Sequence, residues 1–253
     1  MKTGCTSQPA LYEVFVMKML RPRLILLGGL ILISVCALCF FPREWGWAGG
    51  YGNSIPSPTP PEWVTIIMED FEGSFPGTWN VFDYDGIDNG EYYWGKRDCR
   101  FYAGDFSGWA VGAGPDDGAL SCSSNYPDKV NTWMIYGPFD LSDAAAAELE
   151  FKHWLDSDSG KDKFSWGASI TGTHFYIYSI SGNSSGWKDQ AMDLSNIHTI
   201  GNLLGEPQVW IALTFRSDES INLPEGVRVD DILLRKVLTR ENNQYLPFVA
   251  KKY

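Results

Sequence analysis

The residues of this chain that could do acid–base chemistry are its carboxylates and three histidines, His153, His174 and His198. No two histidines stand at i, i+4 and no HExxH occurs, so the helical zinc-peptidase arrangement is missing. No GxSxG occurs either. In residues 104–108, GDFSG, the serine falls one place late for a nucleophile elbow. His153 lies in an alternating stretch and reads as a structural histidine. A carboxylate pair for glycoside hydrolysis is defined by its separation in space, which spacing along the chain does not fix. Two acidic stretches remain. Residues 229–234, VDDILL, set Asp230 and Asp231 side by side in an apolar strand, so one carboxylate faces the covered side. A buried carboxylate needs a cation or hydrogen bonds, and Arg228 or Arg235 could be that cation. Residues 83–91, DYDGIDNGE, carry acids at 83, 85, 88 and 91. They lack the oxygen ladder of an EF-hand loop and read as a turn with Asx hydrogen bonds.

The second chemistry is stacking. Aromatics reach 15%, with 11 Trp, 12 Tyr and 14 Phe, enough to supply both a core and a surface. Exposed Trp and Tyr rings bring large rigid area to sugar faces and protein interfaces. Trp187 follows the polar loop SGNSSG and is the first candidate for exposure. Trp166, just after KDK at 161–163, is the second. Tyr92, Tyr93 and Trp94 form a run that completes the candidate ligand-binding set. Trp109, Trp133 and Trp154 are spread along the chain, and most tryptophans are expected in the core.

Strands must position these groups. Leu149 and Phe151 alternate with Glu148, Glu150 and Lys152. Val209, Ile211, Leu213 and Phe215 alternate with Trp210, Ala212, Thr214 and Arg216. Period 2 in segments separated by Gly, Asn, Asp and Pro turns predicts an all-β, two-sheet antiparallel sandwich. About ten strands are expected, drawn from eleven candidate stretches near 63–71, 79–84, 91–95, 108–113, 130–136, 147–155, 164–170, 173–180, 187–193, 207–216 and 226–235. The alanine-rich stretch 143–148 is expected to form one helical turn.

The rest of the chain reads as an address and a spacer. Residues 24–41 are uncharged and apolar, preceded by Arg21 and Arg23. A hydrophobic helix there, within residues 1–48, predicts a signal peptide cut after Ala48 or an uncleaved signal anchor. Residues 49–62 form a Pro-rich linker, residues 63–238 the sandwich and residues 239–253 a tail. Beyond residue 48 the chain has 15 basic and 29 acidic residues, a net charge of −14. That excludes a nucleic-acid binder. The same part keeps two cysteines, Cys99 and Cys122, and in an oxidising compartment they are expected to pair, worth about 3 kcal/mol in the chain-entropy picture.

Four motifs carry a family resemblance: EDFEG at 69–73 followed by PGTW at 76–79, TWMIYGPFDL at 132–141, LEFKHW at 149–154 and VDDILL at 229–234. In this order they resemble the cleaved-adhesin and choice-of-anchor J jelly rolls of bacterial extracellular proteins. The group is similar to MAM domains and to modules closing immune-inhibitor-A-like peptidases. The resemblance implies a jelly roll displayed outside the cell, membrane-bound only through the N-terminal segment if that stays uncut. It also implies a non-catalytic adhesive role toward a glycan or a cell-surface protein. A further implication is a structural Ca²⁺ joining first and last strands, here through Glu69, Asp70 or Glu72 with Asp230 or Asp231. The rival readings are a glycan hydrolase or lyase on the same fold and a structural matrix protein.

Overall fold

A computed structural model describes residues 60–84, 92–114 and 120–239. The apolar run at 24–41, most of the Pro-rich linker, the acidic stretch 85–91 and the tail beyond 239 lie outside the described residues. Eleven strands form: β1 (Trp63–Glu69), β2 (Asn80–Asp83), β3 (Tyr93–Arg97), β4 (Ser107–Ala113), β5 (Asn131–Phe139), β6 (Ala144–Asp156), β7 (Lys163–Ser169), β8 (Tyr176–Ile180), β9 (Lys188–Asp193), β10 (Val209–Arg216) and β11 (Gly226–Leu238). They make a two-sheet antiparallel sandwich of the jelly-roll kind. One sheet runs β3-β4-β11-β6-β9, with β1 also paired to β11, and the other runs β2-β5-β10-β7-β8.

The period-2 pattern sets which side chains go inside. In β10, Ile211, Leu213 and Phe215 are fully buried and lie level with Ala168, Trp166 and Phe164 of β7. From the other sheet, Leu149, Phe151, Leu155, Val227 and Val229 complete the core. Phe151 meets Phe164 and Trp166 edge-on, with centroids 5.9 and 5.8 Å apart, a favoured aromatic geometry. Each fully buried Leu, Val or Phe contributes roughly 1.5–3 kcal/mol.

The alanine-rich stretch is not helical. Ala144, Ala146 and Ala147 open β6 and pair with Leu238, Val237 and Lys236. A single helical turn is a costly nucleus with few bonds, whereas β11 offers a full ladder, so tertiary pairing overrides alanine's helix preference.

The loop 98–106 folds over the outward face of the six-stranded sheet. The Cys99–Cys122 disulfide holds one end, with Cα atoms 6.0 Å apart. Asp230, fully buried, accepts the amides of Tyr102 and Ala103 at 2.7 and 3.3 Å. Glu72 accepts those of Asp105 and Phe106 at 2.8 and 3.0 Å. Beneath the loop, Arg228 lies 4.5 Å over the Trp109 ring and its Nε donates to Glu225 at 3.2 Å. Arg100 reaches the same carboxylate and lies 4.0 Å over Trp154. At another corner, Pro60, Pro61 and Val64 share a shallow depression with Leu238 and Thr239.

Candidate functional site

The five residues expected to bind ligand do not form a platform. Trp94 and Trp166 are 1% and 5% exposed and belong to the core, which corrects their assignment as surface rings. In β7 the outward members are Ser165, Gly167 and Ser169, and Trp166 fills the space between the sheets. Tyr92 packs against that core. Tyr93 is half-buried on β3, at the edge of the six-stranded sheet. Trp187 is half-buried and stands edge-on against Tyr102 of the disulfide-held loop, with centroids 6.0 Å apart.

The acidic set is equally dispersed in its tasks. Asp230 is buried on the outward side of β11, and backbone amides, not Arg228 or Arg235, satisfy it. Besides the two loop amides it accepts Asp231 N at 2.8 Å. Burial holds its carboxyl above the usual range, with the three amides pulling the other way. Arg228 serves Glu225, and Arg235 serves Glu148 and Glu150. Glu69 accepts Phe71 N at 2.9 Å, and Asp70 accepts Glu72 N at 3.1 Å. Calcium needs six to eight converging oxygens. Among the described residues the one group of three ligand-type atoms within 4.8 Å is Asp98, Cys99 and Cys122, and both sulfurs there are in the disulfide. Among the described residues, Glu69, Asp70, Glu72, Asp230 and Asp231 are thus not gathered into such a group of three. Chelation with EDTA is expected to leave the Tm unchanged. A fall of several degrees in differential scanning calorimetry would place an ion here after all.

His153 is structural, as its alternation suggests, but unsatisfied. It sits between Phe151 and Phe164 with Nδ1 lacking a partner.

A ring platform does exist, on the outward face of the five-stranded sheet. The strand register lays out this face row by row. Tyr84 N donates to the Asn131 carbonyl, and Asn131, Arg216 and Lys163 are cross-strand neighbours, which makes one row. The next holds Phe82, Trp133, Thr214, Ser165 and Ser179. The third holds Asn80, Ile135, Ala212, Gly167 and Ile177. Neighbouring strands lie about 4.8 Å apart, so each row crosses the sheet like a shelf. None of these positions carries a carboxylate.

The rings form a chain across the rows. Phe82 and Tyr84 have centroids 6.3 Å apart, Tyr84 and Trp133 5.5 Å, and Trp133 and Phe175 5.7 Å. Phe175 stands at the foot of β8, with β7 and β10 between it and β5. It reaches Trp133 because the residues between them are small, Gly167 and Ala212. A Cβ at Gly167 would strike the Tyr176 carbonyl, so the close approach of the β8 backbone requires glycine here. Tyr84 is 66% exposed, while Phe82, Trp133 and Phe175 are half-buried. Trp133 Nε1 donates to Asn131 Oδ1 at 3.0 Å, which fixes the indole plane. Thr214 Oγ1 is buried at the centre of this face with no hydrogen-bond partner. Such an arrangement can stack on a flat, partly apolar ligand and offers polar groups at its margin.

The alternation of Trp133 with the inward Met134 was the signal in the sequence for this platform. Tyr84 and Phe175 lie at strand ends, where alternation gives no phase.

No family model and no curated protein matches the chain. Solved structures similar to it include the K1 and K3 cleaved adhesin domains of Lys-gingipain from Porphyromonas gingivalis. They are 17% and 13% identical, with TM-scores of 0.43 and 0.44, and cover 66% and 68% of this chain and 96% and 98% of their own. The family 11 carbohydrate-binding module of the cellulosomal cellulase Lic26A-Cel5E of Clostridium thermocellum is 15% identical, with a TM-score of 0.42, covering 72% of this chain and 99% of its own.

Proposed function

We propose that this chain is a non-catalytic, extracellular binding module that takes a glycan on the outward face of its five-stranded sheet. The observation that carries this reading is the continuous chain of rings Phe82–Tyr84–Trp133–Phe175, lying over a floor of small side chains. Pyranose rings present apolar C–H faces that stack on such a surface, while their hydroxyls bond at its polar edge. The lack of carboxylates on the three rows favours binding over hydrolysis, which needs a pair of them. The Cys99–Cys122 disulfide and the apolar run at 24–41 support life in an oxidising compartment outside the cytoplasm.

Affinity electrophoresis of residues 49–253 against a panel of soluble polysaccharides tests the reading. At least one glycan should retard the wild type. Trp133→Ala and Tyr84→Ala should weaken that binding about 10–100-fold, as truncation of an aromatic anchor does. Tyr84 is largely exposed, so its loss leaves the fold in place, checked by circular dichroism. No retardation by any glycan, or binding indifferent to both substitutions, would remove the site.

A further inference from the structure

The same face carries a charge anomaly that points to the class of glycan. Arg216 and Lys163 are direct cross-strand neighbours on its first row. Like charges directly opposite each other destabilise a sheet. Yet among the described residues neither takes part in an ion pair, and Arg216 makes no hydrogen bond through its side chain. Lys163 finds only the Ser181 hydroxyl, at 3.5 Å. Acids are not scarce, since the chain beyond residue 48 has 29 of them against 15 basic residues. Cations close by do have partners: Lys161 lies 3.8 Å from Asp218, and Lys129 pairs with Glu219. Two cations without an ion pair thus sit side by side, next to the rings, on described rows that carry no carboxylate.

We propose that the glycan taken here is acidic, a uronate-bearing chain. Its sugar rings stack on Tyr84 and Trp133 while its carboxylates sit against Arg216 and Lys163. This rests on the glycan reading above and adds the charge of the ligand to it. Arg216 lies diagonal to Trp133 on the next row, a separation of about 7–8 Å at the backbone that a long side chain spans. A sugar stacked on the indole therefore holds its exocyclic carboxylate within reach of the guanidinium. The guanidinium fork matches a carboxylate in a bidentate fashion. The protein's overall negative charge repels a polyanion at long range, but beyond about 8 Å that repulsion is screened at physiological ionic strength. The local cation pair then decides.

The experiment compares polygalacturonate, its fully methyl-esterified form, a neutral galactan and dextran sulfate by titration calorimetry. Polygalacturonate is expected to bind at least about 10-fold tighter than its methyl ester, the scale of a charge-assisted hydrogen bond. Arg216→Gln with Lys163→Gln should erase that difference by weakening the acid far more than the ester, and Arg216→Lys should restore part of it. Equal affinity for acid and ester, or an acid preference that survives the double substitution, overturns the proposal. Equal binding of dextran sulfate would show an unspecific anion patch and overturn the uronate assignment. If neutral glycans bind in a Trp133-dependent way without any acid preference, the site stands and only its charge class falls. If no glycan binds at all, the parent reading fails instead.

Discussion

Glu225→Gln is expected to lower the unfolding free energy by about 3–5 kcal/mol, the range for breaking one side of a buried ion pair. Arg228 is fully buried, and among the described residues Glu225 is the one carboxylate that pairs with it. Burial pulls the Arg228 guanidinium down to about 10, with Glu225 opposing that shift and Arg100 and Arg97 adding to it. Arg228 therefore stays charged at neutral pH. Without the carboxylate, the buried Arg228 guanidinium is left unpaired over Trp109, with the like charges of Arg100 and Arg97 acting on it. The double variant Glu225→Gln, Arg228→Met should recover much of the loss, because a well-packed apolar side chain replaces an unpaired ion at little cost. Urea denaturation measures both, and a single-variant loss under about 1 kcal/mol would show that water reaches Arg228.

Acidification gives the second large effect. Burial among Phe151 and Phe164 pulls His153 down to about 4 from 6.5, with Lys188 across the ladder adding to the shift and Asp189 opposing it. The unfolded chain takes a proton below pH 6.5, but the folded one does not until about pH 4. Between those values the unfolded state binds more protons, so stability rises with pH. The His153 contribution is complete above pH 6.5 and is lost as the pH falls toward 4. The loss totals about 3 kcal/mol at 1.36 kcal/mol per pKa unit. His153→Phe should flatten that part of the pH profile of the Tm without abolishing folding. An unchanged slope in the variant would assign the acid sensitivity to the carboxylates.

The sheets were legible in the sequence because alternation is a property of single strands. Leu149 and Phe151 against Glu148 and Glu150 declare their faces without a partner. Cys99 and Cys122 were legible because the apolar run at 24–41 implied an oxidising compartment and left two thiols. What alternation does not give is the phase between strands. Trp166 and Trp133 both sit in alternating runs, yet one faces in and the other out. The difference lies in their neighbours: small residues flank Trp166 on the outward side, while Met134, beside Trp133, fills the core. Adjacent Asp230 and Asp231 in an apolar strand imply one buried carboxylate, which is Asp230, but its partners include the amides of Tyr102 and Ala103, more than 120 residues away in sequence. A contact of that range is set by how loop 98–106 folds over the sheet, which no local pattern encodes.

The corner where Pro60 and Thr239 share one depression has a practical corollary. Trp63 and Val237 are ladder partners there, so the polypeptide arrives and departs about one strand spacing apart. A cassette cut at these two points can be spliced into an exposed loop of a host protein without prising the host's own ends apart.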